Sequence, residues 1–167
     1  MRRFIALVLL GALSAAACGS SGASTTSSTS TAYAGDCSSG LAAAGHKYQG
    51  YDVTTYCGPA HATIKIGGTA YNLSGGRCVY DASVGFAINV GTLVNGVSAV
   101  PADGPQYFGV VATTGSKAVG TGLVGGQILV VTDGTDGDSV TIADDHMSGS
   151  ISGSTMSYEP LTASFSC

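Results

Sequence analysis

The 167-residue chain has no Trp, four Pro and only six Lys+Arg, and charged residues make up 10% of it, well under the ~25% of an ordinary soluble domain. Each shortage excludes something. Six cations cannot neutralise many phosphates, so no nucleic-acid partner is expected. No apolar run reaches the ~20 residues that a membrane-spanning helix needs. The cysteines include no C-x-x-C pair, so a zinc ligand set is not expected. There is no G-x-S-x-G nucleophile elbow, and we expect neither an enzyme nor a cofactor. Low Leu, Glu and Lys content argues against a helical bundle. What is abundant is glycine, 26 residues, roughly twice ordinary usage. The hydrophobic fraction of 44% is too high for whole-chain disorder. A small, Gly-rich β domain remains.

The first segment reads as an address. Arg2 and Arg3 precede an apolar run over Phe4–Ala17, which has the length of a signal-peptide core. The run ends in Ala15-Ala16-Ala17-Cys18-Gly19-Ser20. Small residues up to a Cys, then Gly and Ser, resemble a bacterial lipobox, in which the Cys sulfur receives a diacylglycerol and a peptidase cuts just before it. Ala15 stands where that motif usually has Leu. The expected boundaries are a signal peptide over 1–17, a lipidated Cys18 with a flexible tether over 18–35, and a folded domain over 36–167. The alternative is ordinary secretion with cleavage at an A-x-A site. Residues 19–35 are mostly Ser, Thr, Gly and Ala. Such a stretch buries too little to offset its ordering entropy, and it reads as a disordered spacer that could carry sugars.

Without Arg2 and Arg3, four basic residues face ten acidic ones, a formal balance of −6. Beyond residue 100 the acids Asp103, Asp133, Asp136, Asp138, Asp144, Asp145 and Glu159 face Lys117 alone, an arrangement that serves solubility. After Cys18 the cysteines are Cys37, Cys57, Cys78 and Cys167. An even count in an exported chain points to two disulfides, with three connectivities open. We expect Cys37–Cys57 and Cys78–Cys167, the second pinning a terminal strand that would otherwise fray.

Alternation of period two marks the strands. Ala62, Ile64 and Ile66 share one face, as do Phe86, Ile88 and Val90, and Leu161, Ala163 and Phe165. Gly67-Gly68 is a hairpin turn. Further strands are expected at Thr69–Leu73, Arg77–Tyr80, Tyr107–Ala112, Ser139–Ala143 and Met147–Ser152. The near-continuous apolar run Gln127–Thr132 reads as a central strand. Leu41–Ala44 reads as a helical turn stopped by Gly45, inside a disulfide-closed cap that carries Tyr48, Tyr51 and Tyr56. Ser116–Gly126 is Gly-rich and weakly specified. The expected fold is all-β: an antiparallel β-sandwich of about eight short strands, stapled by disulfides.

Three runs carry a family resemblance: Ile64-Lys65-Ile66-Gly67-Gly68, then Leu73-Ser74-Gly75-Gly76-Arg77-Cys78, then Phe86-Ala87-Ile88-Asn89-Val90-Gly91. So does the end, Met147–Gly153 followed by Ala163–Cys167. Together with the lipobox they resemble the mycobacterial lipoprotein antigen family, the type named for its nineteen-kilodalton member. The family pattern is a lipidated Cys, a Ser/Thr-rich tether and a small β domain whose late Cys pairs at the C-terminus. Cys18, residues 19–35, Cys78 and Cys167 occupy those places. The Cys37–Cys57 segment departs from the pattern. The resemblance implies a non-enzymatic cell-envelope lipoprotein, a surface antigen or adhesin on the outer face of the cell membrane. Its acylated end would be open to host receptors. The alternative is a carrier module for an envelope lipid or glycan.

Other chemistry is weaker. Asp133, Asp136 and Asp138 offer three carboxylates to a hard cation such as calcium, but the loop lacks the length and distal Glu of an EF-hand. Asp-Gly turn chemistry accounts for it. His146 beside Asp144 and Asp145 could form a base with its orienting acid, though a turn His is ordinarily solvated. Tyr48, Tyr51, Tyr56, Tyr71, Tyr80 and Tyr107 could include a stacking platform or simply pack at strand edges.

Overall fold

The computed structural model describes Ser27–Thr29, Cys37 and residues 42–167. The expected signal segment, Cys18 and most of the expected tether lie outside the described residues. Thirteen strands are present among the described residues: β1 (Ser27–Thr29), β2 (Ala42–Tyr48), β3 (Tyr51–Tyr56), β4 (His61–Ile66), β5 (Thr69–Ser74), β6 (Gly76–Asp81), β7 (Gly85–Val94), β8 (Tyr107–Thr113), β9 (Val119–Val124), β10 (Gln127–Thr132), β11 (Ser139–Ile142), β12 (Ser148–Ser154) and β13 (Pro160–Ser166). One sheet runs β1-β5-β4-β13-β12-β11, and the other runs β10-β9-β8-β7-β3-β2 with β6 also on β7. Every neighbour is antiparallel except β1, which pairs in parallel with β5 from within the Ser/Thr-rich stretch. The molecule is an antiparallel β-sandwich.

The alternating positions meet between the two sheets. Ile64, Ile88, Val90 and Val110 are fully buried, and Phe86, Phe108, Leu129, Leu161 and Phe165 join them in one core. Burying each such side chain contributes about 1.5–3 kcal/mol. β7 shows the pattern most fully, with every second residue from Phe86 to Val94 buried. It also serves two neighbours along one edge: β6 pairs with Gly85–Val90, and β3 takes over at Thr92–Val94. Gly91, at φ +88°, marks the handover. Val90 lies in the main core, whereas Val94 packs with Val53, Val100 and Leu123 in a second cluster.

Several sequence expectations change: the strands number thirteen among the described residues rather than about eight, and Ser27–Thr29, expected inside a flexible tether, pairs as β1 with β5. Ala42–Ala44 is the start of strand β2, not a helical turn, because Tyr51–Tyr56 supplies a pairing partner and tertiary pairing outweighs alanine's weak β preference. The Gly-rich stretch yields β9, whose buried Gly120 faces Ile151 of the opposite sheet; a Cβ there would stand 2.2 Å from that side chain. Gln127–Thr132 is an edge strand rather than a central one. Its apolar run is continuous because Leu129 and Val131 face the main core while Ile128 packs on the second cluster.

Candidate functional site

The two disulfides converge on one end of the sandwich. Cys37 is bonded to Cys57 (Cα–Cα 5.6 Å) and Cys78 to Cys167 (Cα–Cα 5.8 Å). The second bond crosses from β6 in one sheet to the end of β13 in the other. Between them lies an open groove of about 610 Å³, walled by Cys57–Ala60 on one side and by β6 on the other, with Met147 and Cys167 at its far side. Five consecutive residues of β6, Gly76–Tyr80, line it. Consecutive residues point to alternate faces, so the groove follows the strand's edge rather than one of its faces.

The groove's rim is apolar and exposed at Val79, Tyr80 and Met147. Tyr80 stacks on His146, with ring centroids 3.9 Å apart. His146 has φ +56°, in the left-handed region that non-glycine residues rarely adopt. Nearby, Asp145 accepts a hydrogen bond from the Met147 amide at 2.8 Å. His146 therefore meets an aromatic ring, and the carboxylate beside it caps a turn. Asp81, at the end of β6, accepts hydrogen bonds from the Ser83 hydroxyl (2.5 Å) and amide (2.8 Å). These bonds hold its carboxyl below the usual carboxylate range, so it stays charged at neutral pH.

Next to the groove's wall, the Ser166 hydroxyl lies 2.9 Å from His61 Nε2, and His61 Nδ1 lies 3.4 Å from the Pro59 carbonyl. The two side chains sit opposite each other on β13 and β4. The pairing register creates this contact across 105 residues of sequence, so no local motif could have announced it. The second ring nitrogen faces a carbonyl oxygen rather than a carboxylate, which is not the arrangement of a catalytic triad.

The tyrosines separate into different environments. Tyr56 and Tyr107 approach each other with centroids 5.8 Å apart. Tyr107 donates to Asn89 Oδ1 at 2.6 Å, and burial, with Tyr56 nearby, raises its pKa. A shallow apolar groove of about 290 Å³ adjoins it, lined in part by Val97, Leu123 and Ile128. Tyr48 packs on the second cluster, Tyr71 on the main core, and Tyr51 is exposed. No single platform gathers all six.

Asp133, Asp136 and Asp138 lie in the turn that carries the chain from β10 in one sheet to β11 in the other. Asp133 accepts from the Val140 amide at 3.1 Å, and Lys117 reaches the Gly134 carbonyl and the Thr135 hydroxyl, both at 3.4 Å. Among the described residues no three His, Cys, Asp or Glu side chains come together as a metal-binding group. No protein-family model, curated protein or solved structure matches this chain.

Proposed function

We propose that this protein is a non-enzymatic envelope lipoprotein. Acylated Cys18 holds it to the outer face of the cell membrane, and a Ser/Thr-rich tether displays a disulfide-stapled sandwich as an antigen- or adhesin-like domain. The observation that carries this reading is the inter-sheet bond between Cys78 and Cys167 beside a second one at Cys37–Cys57. Such bonds persist in oxidising, extracytoplasmic compartments. The lipobox-like end and the motif resemblance to the nineteen-kilodalton antigen type support the anchor.

The carrier alternative calls for an apolar hollow of several hundred Å³ that encloses its cargo. The space between the sheets is instead filled by Ile64, Ile88, Val90 and Val110, and the 610 Å³ groove is open to solvent. That favours display over carriage. The test is the intact mass of the protein extracted gently from its own membrane. The expected mass starts at Cys18, carries acyl chains and lacks four hydrogens. A chain that starts elsewhere without an acyl group would overturn the anchored reading, and a small lipid or glycan retained until denaturation would put carriage ahead of display.

A further inference from the structure

The groove beside β6 has a feature that display alone does not use. At its start, Gly76 donates to the Gly58 carbonyl and accepts from the Ala60 amide, both at 3.3 Å. Gly76 therefore directs its backbone groups away from β7, toward the groove. Because these groups alternate sides along a strand, Cys78 and Tyr80 direct theirs the same way, and among the described residues no backbone partner meets them there. Among the described residues this is a free strand edge of the kind that natural sheets usually blunt with Lys, Pro or a bulge. β6 has no Lys and no Pro, and its pairing with β7 is unbroken. The opposite edge of the same sheet, β10, is partly covered, since Leu129 bridges to Thr155 and the Met156 amide donates to the Ile128 carbonyl.

The side chains on β6 specify what fits. Cys78 points inward to Cys167, so Arg77, Val79 and Asp81 share the outer face, and all three are exposed. Arg77 and Asp81 are four residues apart on an extended strand, about 13 Å, too far to pair with each other. Their same-face neighbours on β7, Asn89 and Gly85, are uncharged.

We infer that the β6 edge pairs with β6 of a second copy of this chain, antiparallel and two-fold symmetric about Val79. In that register Cys78 lies opposite Tyr80 of the other copy, and each such pair exchanges two backbone hydrogen bonds, four in all. Val79 meets Val79 in the non-hydrogen-bonded position. Arg77 lies opposite Asp81 twice, which places complementary charges directly across the strands. Shifting the register by two residues in either direction loses this match: one shift sets Cys78 against Cys78 and asks for the backbone groups of Gly76, which Gly58 and Ala60 already occupy, and the other sets Val79 against Asp81. The interface is isologous, as closed dimers require.

The test uses native mass spectrometry of the mature full-length chain in mild detergent, which counts chains per particle. Wild type is expected as a dimer. Arg77→Asp and Asp81→Arg each set like charges across the two-fold and are expected as monomers. An equimolar mixture of these two variants restores both opposite-charge pairs, so it is expected to form mixed dimers, and the double variant R77D/D81R is expected to dimerise with itself. The mixture guards against misfolding, because a variant that failed to fold could not rescue its partner. Monomeric wild type, a dimer indifferent to both reversals, or a mixture that stays monomeric would each overturn the inference.

Discussion

Tyr107 shows how much one side chain can tie together on this sheet. Its hydroxyl lies over Gly109, where a Cβ would stand 2.2 Å away, and it is bonded to Asn89. Only a residue without a side chain leaves the ring that berth. Burial raises the Tyr107 pKa above that of an exposed tyrosine. The sign follows from linkage: the unfolded chain releases this proton first, so the contribution is fully present below the ordinary tyrosine value of about 10 and is lost as pH rises through the higher folded value. Tyr107→Phe is expected to cost about 1 kcal/mol at neutral pH, because Asn89 loses its donor. The gap between wild type and variant should shrink at alkaline pH. Urea midpoints at pH about 8 and about 10.5 would show it, and a gap that stays constant would remove the role given to burial.

At the scale of the element, β7 organises its sheet by carrying β8 on one edge and β6 then β3 on the other. The handover depends on Gly91. Its amide donates to Gly75 and the next amide, Thr92, donates to Gln106. A Cβ on Gly91 would lie 2.3 Å from the Gln106 carbonyl oxygen. Gly91→Ala is therefore expected to cost about 3 kcal/mol or more, from the left-handed backbone and the overlap together. Gly50 has the same sign of φ, +89°, with nothing near its missing Cβ, so Gly50→Ala should cost only the backbone part, about 1–2 kcal/mol. Equal losses in chemical denaturation would show that β7 absorbs the extra atom and that the handover is not tightly built.

Over the whole molecule, the staples act at different ranges. Cys78–Cys167 closes 89 residues of chain and joins the two sheets, while Cys37–Cys57 closes 20. In the chain-entropy model the first is worth about 4.5 kcal/mol and the second about 3. The paired variant Cys78→Ala/Cys167→Ala should therefore lose more stability than Cys37→Ala/Cys57→Ala, read from denaturant midpoints of oxidised samples. Near-equal losses, or the reverse order, would mean that the terminal strand is held by its pairing with β4 and β12 rather than by the bond. The first of these variants also frees the strand that forms the groove's edge, so it should weaken self-association beyond its effect on stability.

Much of this architecture is legible in one dimension because a half-buried strand must alternate. Ala62–Ile66, Phe86–Val90 and Leu161–Phe165 each read as one face of a sheet, and each buries that face. Other strands were hidden for physical reasons. β2 begins in alanines that favour helix when nothing else decides, and β9 spends glycines where side chains of Ile151 and Leu129 fill the space. Alternation says which face is inward but not which strand lies beside which, since any two patterned strands can pair. Strand order, the β7 handover, the meeting of His61 with Ser166 and the open edge of β6 all depend on that choice. Composition and local pattern determined a disulfide-bearing β domain; which strand edge the described residues leave unpaired, and the chemistry it presents, were decided only when the strands had to pair around two packed clusters.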